Sequence, residues 1–153
     1  MFKKRKTIKQ VEEGNELAPK FDQNGFIPVV TTDAKSGVVL MHAYMNEEAL
    51  KKTIATKEAH YYSRSRKCLW HKGATSGLVQ DVKNIYIDDD QDCIWLNVIV
   101  RGEASCHVGY KSCFYRELEK KGENFSTNLV FNEDKKVFDP NKVYKGQENP
   151  TKL

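Results

Sequence analysis

Long apolar runs are what this chain of 153 residues most lacks. The longest, Ile94 to Val100, is interrupted by Asn97 and falls far below the roughly 20 residues that a membrane-crossing helix needs. The amino-terminal residues show no apolar stretch of the kind a secretory signal carries, so a cytoplasmic location is expected and no membrane partner. Cysteine is scarce, at four residues, and without an export signal free or metal-bound thiols are expected rather than disulfides. Cys68 has no obvious partner and is read as inert. A strong charge of one sign is also missing: 25 Lys and Arg against 21 Asp and Glu leave +4, part of it in Lys3, Lys4, Arg5 and Lys6. Such a short basic cluster is read as a solvated tail, and nucleic acid is not the expected partner. There is no Walker loop, dinucleotide fingerprint, internal repeat, low-complexity tract or linker. The length and the 39% hydrophobic content imply one domain with a modest core that a partner subunit would help.

What is present reads as an α+β single domain dominated by antiparallel β-sheet, with one or two short helices. Residues 1–20 are polar and irregular, a flexible arm; 21–145 form the domain; 146–153 are a polar tail. Phe26 to Thr31 and Val38 to Tyr44 flank Asp33-Ala34-Lys35-Ser36-Gly37, which carries turn chemistry and predicts a hairpin. Asn46 then supplies a helix N-cap, Glu47 and Glu48 suit the positive helix start, and Ala49, Leu50, Thr53 and Ile54 predict an inward stripe to about Lys57. Ala59 to Ser65, Val79 to Ile87 and Ile94 to Val100 read as strands, with Ala104 to His107 a candidate fourth. Asn128 to Phe131 and Lys136 to Phe138 predict a final hairpin around Asn132-Glu133-Asp134.

Three groups of residues carry chemistry. Asp88, Asp90 and Asp92 alternate in DDDQDC, and on an extended strand they would project from one face, gathering three like charges that a hard cation such as Mg2+ would stabilise. Cys106, His107 and Cys113, in CHVGYKSC, offer two thiolates and an imidazole suited to Zn2+. Between two strands, Arg64, Arg66, Trp70, Lys72, Thr75 and Ser76 lie in SRSRKCLWHKGATSG. Guanidinium forks, hydroxyls and glycine-flanked amides there suit an anionic ligand, and Trp70 can stack on a base or act as an ordinary semi-buried aromatic. Lys72 can equally be a solvated surface lysine.

The stretches LMHAYMNEEAL, HYYSRSRKCLWHKGATSGLVQDV, IDDDQD and SCHVGYKSCFYR, with VFDP near the end, make the chain resemble the phosphoribosyl-AMP cyclohydrolase family of histidine biosynthesis, from about Thr7 to Tyr144. With no room for a fused pyrophosphohydrolase domain, the resemblance is to the monofunctional form. It implies hydrolytic opening of the adenine ring of a small nucleotide substrate, and an intertwined homodimer whose metal sites take ligands from both subunits. Relatives carry Asp-Cys-Asp-x-Asp, whose aspartates bind Mg2+ at the places of Asp88, Asp90 and Asp92. The zinc cysteines of relatives match Cys106 and Cys113, and His107 matches a histidine assigned to proton transfer.

One position departs from that pattern. Where relatives have their first zinc cysteine this chain has Asp89, and Cys93 stands four residues on, roughly 13 Å away along a regular strand. Zinc is then completed by Asp89 through oxygen, by Cys93 through a bulge, or not at all. Two other functions stay open at this level: a non-catalytic nucleotide- or RNA-binding relative, and a hydrolase of another modified purine nucleotide.

Overall fold

Asp33 shapes the first turn of the chain. Its carboxylate accepts the amides of Lys35 and Ser36 at 3.0 and 2.7 Å, joining β1 (Ile27–Asp33) to β2 (Val39–Met45) as the turn chemistry predicts. Alternation then sorts the side chains: Ile27, Val29 and Thr31 are buried on one face of β1, and Ile94, Leu96 and Val98 on the matching face of β6 (Ile94–Val100). The computed structural model describes residues 2–149 and 151, so Met1 of the expected arm and Pro150, Lys152 and Leu153 of the expected tail lie outside the described residues.

These strands build a four-stranded sheet in the order β2-β1-β6-β5, where β5 is Gln80–Ile87. Its pairs are antiparallel except β1 with β6, which run parallel with Val29 opposite Ile94 and Thr31 opposite Leu96. Helix α2 (Glu47–Thr56) follows β2. Asn46 caps it by accepting the Ala49 amide at 2.8 Å, and Lys57 ends it in the left-handed region at φ 58°. Ala49, Leu50 and Thr53 turn inward as predicted, but Ile54 is 43% exposed. At 3.6 residues per turn Ile54 is rotated about 140° from Ala49, which carries it off the buried arc.

A second hairpin, β3 (His60–Ser63) with β4 (Cys68–His71), packs beside α2 and β2. It is tied to the main sheet by Ala59 N–H to the Gln80 carbonyl at 2.9 Å and Val82 N–H to the Lys57 carbonyl at 2.8 Å. The third, β7 (Arg116–Lys121) with β8 (Asn124–Phe131), forms a separate two-stranded sheet. Two short helices, α1 (Ile8–Glu12) and α3 (Pro140–Val143), bring the number to three where one or two were expected.

Two strand expectations are corrected. The last hairpin is β7–β8, not one centred on Asn132-Glu133-Asp134, because Gly122 at φ 63° supplies the turn and Glu133 instead accepts the amides of Lys111 and Ser112. Ala104 to His107 is not a strand, since Cys106 N–H and Gly109 N–H close a tight turn on the carbonyls of Tyr110 and Cys106.

Inside the core runs a line of polar groups. Thr31 Oγ1 donates to the Tyr61 hydroxyl at 2.8 Å, Tyr61 donates to Gln80 Oε1 at 2.7 Å, and Gln80 Nε2 donates to Ser105 Oγ at 2.7 Å. Thr31, Tyr61 and Gln80 have no exposed surface, and burial pushes the Tyr61 phenol well above its ordinary range. A buried acceptor that loses its donor costs about 1–3 kcal/mol, so Tyr61→Phe is expected to lower the unfolding free energy by that amount in urea titration, and no loss would contradict the role given to this line.

Candidate active site

The β3–β4 hairpin and the loop after it form one wall of a cavity of about 1080 Å³. Arg64, Arg66, Trp70, Lys72, Thr75 and Ser76, named from the sequence as ligand-binding residues, all line it. The guanidinium of Arg64 stacks 3.8 Å above the Tyr44 ring, and Arg66 Nε donates to Ser63 Oγ at 3.1 Å while its guanidinium lies 5.6 Å from the centre of Trp70. Behind them the loop doubles back on itself: Gly77 N–H reaches the Gly73 carbonyl at 2.8 Å, and a Cβ at Gly73 would collide with the backbone of Leu78 and Val79. Glycine is required there, with φ 88°.

Lys72 is not the surface lysine that composition allowed. It is 3% exposed, its amide is held by the Ala59 carbonyl at 3.0 Å, and its ammonium faces Cys106 and Cys113. Burial lowers its pKa, and the two thiols work against that shift.

The opposite wall comes from the loop between β6 and β7. Ser112 Oγ donates to the Val39 carbonyl at 2.7 Å and Cys113 N–H to the Leu40 carbonyl at 2.7 Å, which pins this loop against β2. The two cysteine side chains meet within hydrogen-bond reach. Cys113 donates to Cys106, which brings the Cys106 thiol down to about 7 with help from the Val108 amide and the Lys72 charge. For the same reason, and by burial, Cys113 is held well above its ordinary value. The pair therefore shares one proton near neutrality, a donor set that fits a soft divalent metal such as zinc.

His107 borders the same cavity with a buried Nε2 that has no hydrogen-bond partner among the described residues, while Asn149 bonds its ring. Burial, then the Lys72 charge, lowers its pKa, so the imidazole is neutral near pH 7.

The aspartates sit elsewhere. Asp88 to Asp92 are a turn between β5 and β6, not consecutive strand positions, because Asp88 accepts the amides of Asp92 and Cys93 at 2.9 Å each and Gln91 takes a left-handed φ of 59°. The strand expected there is thus replaced by a turn, but Asp92 stays beside Asp88 and Asp90: its carboxyl is held below the ordinary range by Lys20 first and then by Asp90 and Asp88. Carboxylate oxygens of Asp88, Asp89 and Asp90 all lie within 4.8 Å of one another, a donor set that fits a hard divalent cation. Among the described residues this is the only such group of three acidic, histidine or cysteine ligands, so Cys106 and Cys113 find no third ligand within it. Asp90 and Asp92 instead face Lys20 at 3.1 and 3.0 Å. Cys93 is half-buried, its Sγ directed at the Ile94 carbonyl at 3.9 Å, with burial and then Asp88 and Asp92 raising its pKa.

A sequence profile described as phosphoribosyl-AMP cyclohydrolase matches residues 41–115. A phosphoribosyl-AMP cyclohydrolase of Rhodopseudomonas palustris (strain TIE-1) is 52% identical over 134 residues, 88% of this chain and 88% of its own. One from Nitrobacter winogradskyi is 49% identical over 142 residues, 93% of this chain and 97% of its own, and one from Bradyrhizobium diazoefficiens is 50% identical over 136 residues, 89% and 95%. The chain belongs to the phosphoribosyl-AMP cyclohydrolase family. The stretch matching the phosphoribosyl-AMP cyclohydrolase profile holds the cavity wall, the acidic turn and both thiols of the pair.

Several residues at the site escaped sequence reasoning. Gln80 and Ser105 support the thiol loop from the core, Glu133 holds it from outside, and Asn141, Tyr144 and Asn149 border the cavity. The Asp139-Pro140 pair signals the short α3 that carries Asn141, whereas nothing local marks the others. In metal-free protein lacking Cys68 and Cys93, thiolate absorbance is expected to rise with a midpoint near pH 7, and Lys72→Met should move that midpoint upward because a stabilising positive charge is removed. An unmoved midpoint would contradict the placement of Lys72.

Proposed function

We propose that this chain hydrolyses the N1–C6 bond of the adenine ring in 1-(5-phosphoribosyl)-AMP, a step of histidine biosynthesis. Family membership supports the reaction, and the observation that carries its assignment to these residues is the single cavity whose two walls bring Arg64, Arg66 and Trp70 opposite Cys113 and His107. Planar guanidinium groups suit the substrate's phosphates, the hydroxyls of Thr75 and Ser76 suit phosphate or ribose oxygens, and Trp70 offers a face to the purine. His107, neutral at the start, takes the proton of the attacking water through its free Nε2 and returns one to N1 as the C6–N1 bond breaks. Cys106 and Cys113 would hold Zn2+, which would acidify that water, and the aspartates would hold Mg2+, which would offer positive charge to a phosphate.

The third zinc ligand calls for a second copy of the chain, since no residue of the acidic turn lines the cavity of its own chain. A homodimer is supported by the absence of a third ligand beside the thiols among the described residues and by the exposed apolar side chains of β7–β8, with Phe125 68%, Phe131 60%, Leu118 49% and Leu129 49% exposed. Of the two candidates for that ligand, Asp89 is exposed on its turn and free to reach a partner, whereas Cys93 is turned into its own chain. The basic cluster at the amino terminus is partly spent within its own segment, Lys3 lying 3.5 Å from Glu16 and Arg5 donating to the Ala18 carbonyl at 2.9 Å, which adds nothing to a nucleic-acid role. No helix among the described residues is long and apolar enough to cross a membrane.

Purified protein is expected to convert phosphoribosyl-AMP to its ring-opened carboxamide, to lose turnover on chelation and to regain it with zinc. Protein with stoichiometric zinc and no turnover would refute the reaction. Asp89→Ala should lose zinc and activity together while Cys93→Ala keeps both; the reverse pattern would give the third ligand to Cys93.

A further inference from the structure

Gln91 is the residue of the acidic turn for which the metal reading has no use, yet it is the most firmly anchored. It is 4% exposed and keeps a left-handed backbone. Its Oε1 accepts the Ala18 amide at 2.7 Å, its Nε2 donates to the carbonyls of Val11 at 3.0 Å and Glu16 at 3.2 Å, and its own carbonyl accepts the Lys20 amide at 2.7 Å. The segment from Val11 to Lys20 is thus closed over the turn, and a buried amide with every hydrogen-bonding group satisfied fixes the two residues that flank it, Asp90 and Asp92.

The same closure delivers a cation. Lys20 Nζ lies 3.1 Å from Asp90 Oδ2 and 3.0 Å from Asp92 Oδ2, so one ammonium bridges both carboxylates while Asp88, Asp89 and Asp90 stand together beside it. An ammonium and a divalent ion on these oxygens repel each other and compete for the same lone pairs. Among the described residues Lys20 is the one basic group that pairs with Asp90 and Asp92.

We infer that Gln91 is a positioning residue that holds the acidic turn in a metal-ready shape, and that Lys20 is a resident counter-cation which a divalent ion must displace from Asp90 and Asp92. The inference rests on the reading that this turn takes Mg2+. Its two parts have opposite signs. Loss of the Gln91 anchors leaves the carboxylates to be ordered at the moment of binding and weakens affinity. Loss of the Lys20 charge removes a competitor and tightens it, a change that no merely structural damage would produce.

The test follows Mn2+ uptake by the electron paramagnetic resonance signal of the free ion, on the full-length zinc-loaded protein and on its Lys20→Met, Gln91→Ala and Asp90→Asn variants, each checked for native circular dichroism. Asp90→Asn should weaken Mn2+ binding, Lys20→Met should tighten it about three- to tenfold, and Gln91→Ala should weaken it by a similar factor. Gln91→Met, which fills similar space without the three side-chain hydrogen bonds and adds no charge, serves if the alanine variant does not fold and should also weaken binding. Unchanged or weaker binding in Lys20→Met, with Asp90→Asn still weakened, overturns the counter-cation and leaves the metal reading standing. Unchanged binding in the Gln91 variant overturns the positioning role. If the wild-type chain takes up no Mn2+ that Asp90→Asn diminishes, the metal reading falls and this inference with it.

Discussion

The hydrogen-bonded line from Thr31 through Tyr61 and Gln80 to Ser105 joins three parts of the chain that are far apart in sequence. Thr31 belongs to the main sheet, Tyr61 to the hairpin that bears the basic cavity wall, and Ser105 to the loop next to Cys106. Hydrophobic burial is non-directional and would tolerate sliding of one layer over another, whereas a fully satisfied buried polar line accepts a single arrangement. The relative position of guanidinium wall and thiol loop, and so the shape of the cavity, follows from it. Surface links reinforce it less strongly: Arg101 bridges Asp81 and Glu58 at 2.6 Å each, and Glu58 lies 2.9 Å from His71 Nε2, whose ring stacks on His60.

Electrostatics then divides the molecule. Positive charge collects where an anionic nucleotide would enter, at Arg64 and Arg66, and one lysine is carried inside to face the thiols. Negative charge collects on a turn at the far end of β5, where Lys20 balances it. The two regions have complementary needs: thiols with no third ligand among the described residues, and carboxylates in excess. A pair of chains related by a two-fold axis could meet both needs at once, since each contact made by one copy is repeated by the other.

Elements whose structure is decided locally were legible in the sequence. The β1–β2 turn is shaped by Asp33, α2 by its Asn46 cap, and β6 by a run in which Ile94, Leu96 and Val98 alternate inward. The basic cavity wall could be named because arginines, hydroxyls and glycines cluster within one short segment. Contacts between distant residues were not legible. The parallel pairing of β1 with β6, the burial of Lys72 and the anchoring of Gln91 by Ala18 all depend on where the rest of the chain lies. β7 reads as Arg-Glu-Leu-Glu-Lys-Lys, with all but Glu119 exposed, and so gives no strand period to recognise. For the aspartate run only the expected strand backbone was wrong, and for a physical reason: Asp88 ends β5 by capping the turn with its own carboxylate.

In the proposed homodimer each active site draws its thiols from one copy and its acidic turn from the other. Mixing inactive Cys106→Ala protein with inactive Asp89→Ala protein, then allowing subunits to exchange, tests that arrangement directly. Each hybrid retains one site with both cysteines from one chain and the intact turn from the other, so activity should return on mixing. Two variants that stay inactive after exchange has been verified would contradict a shared site.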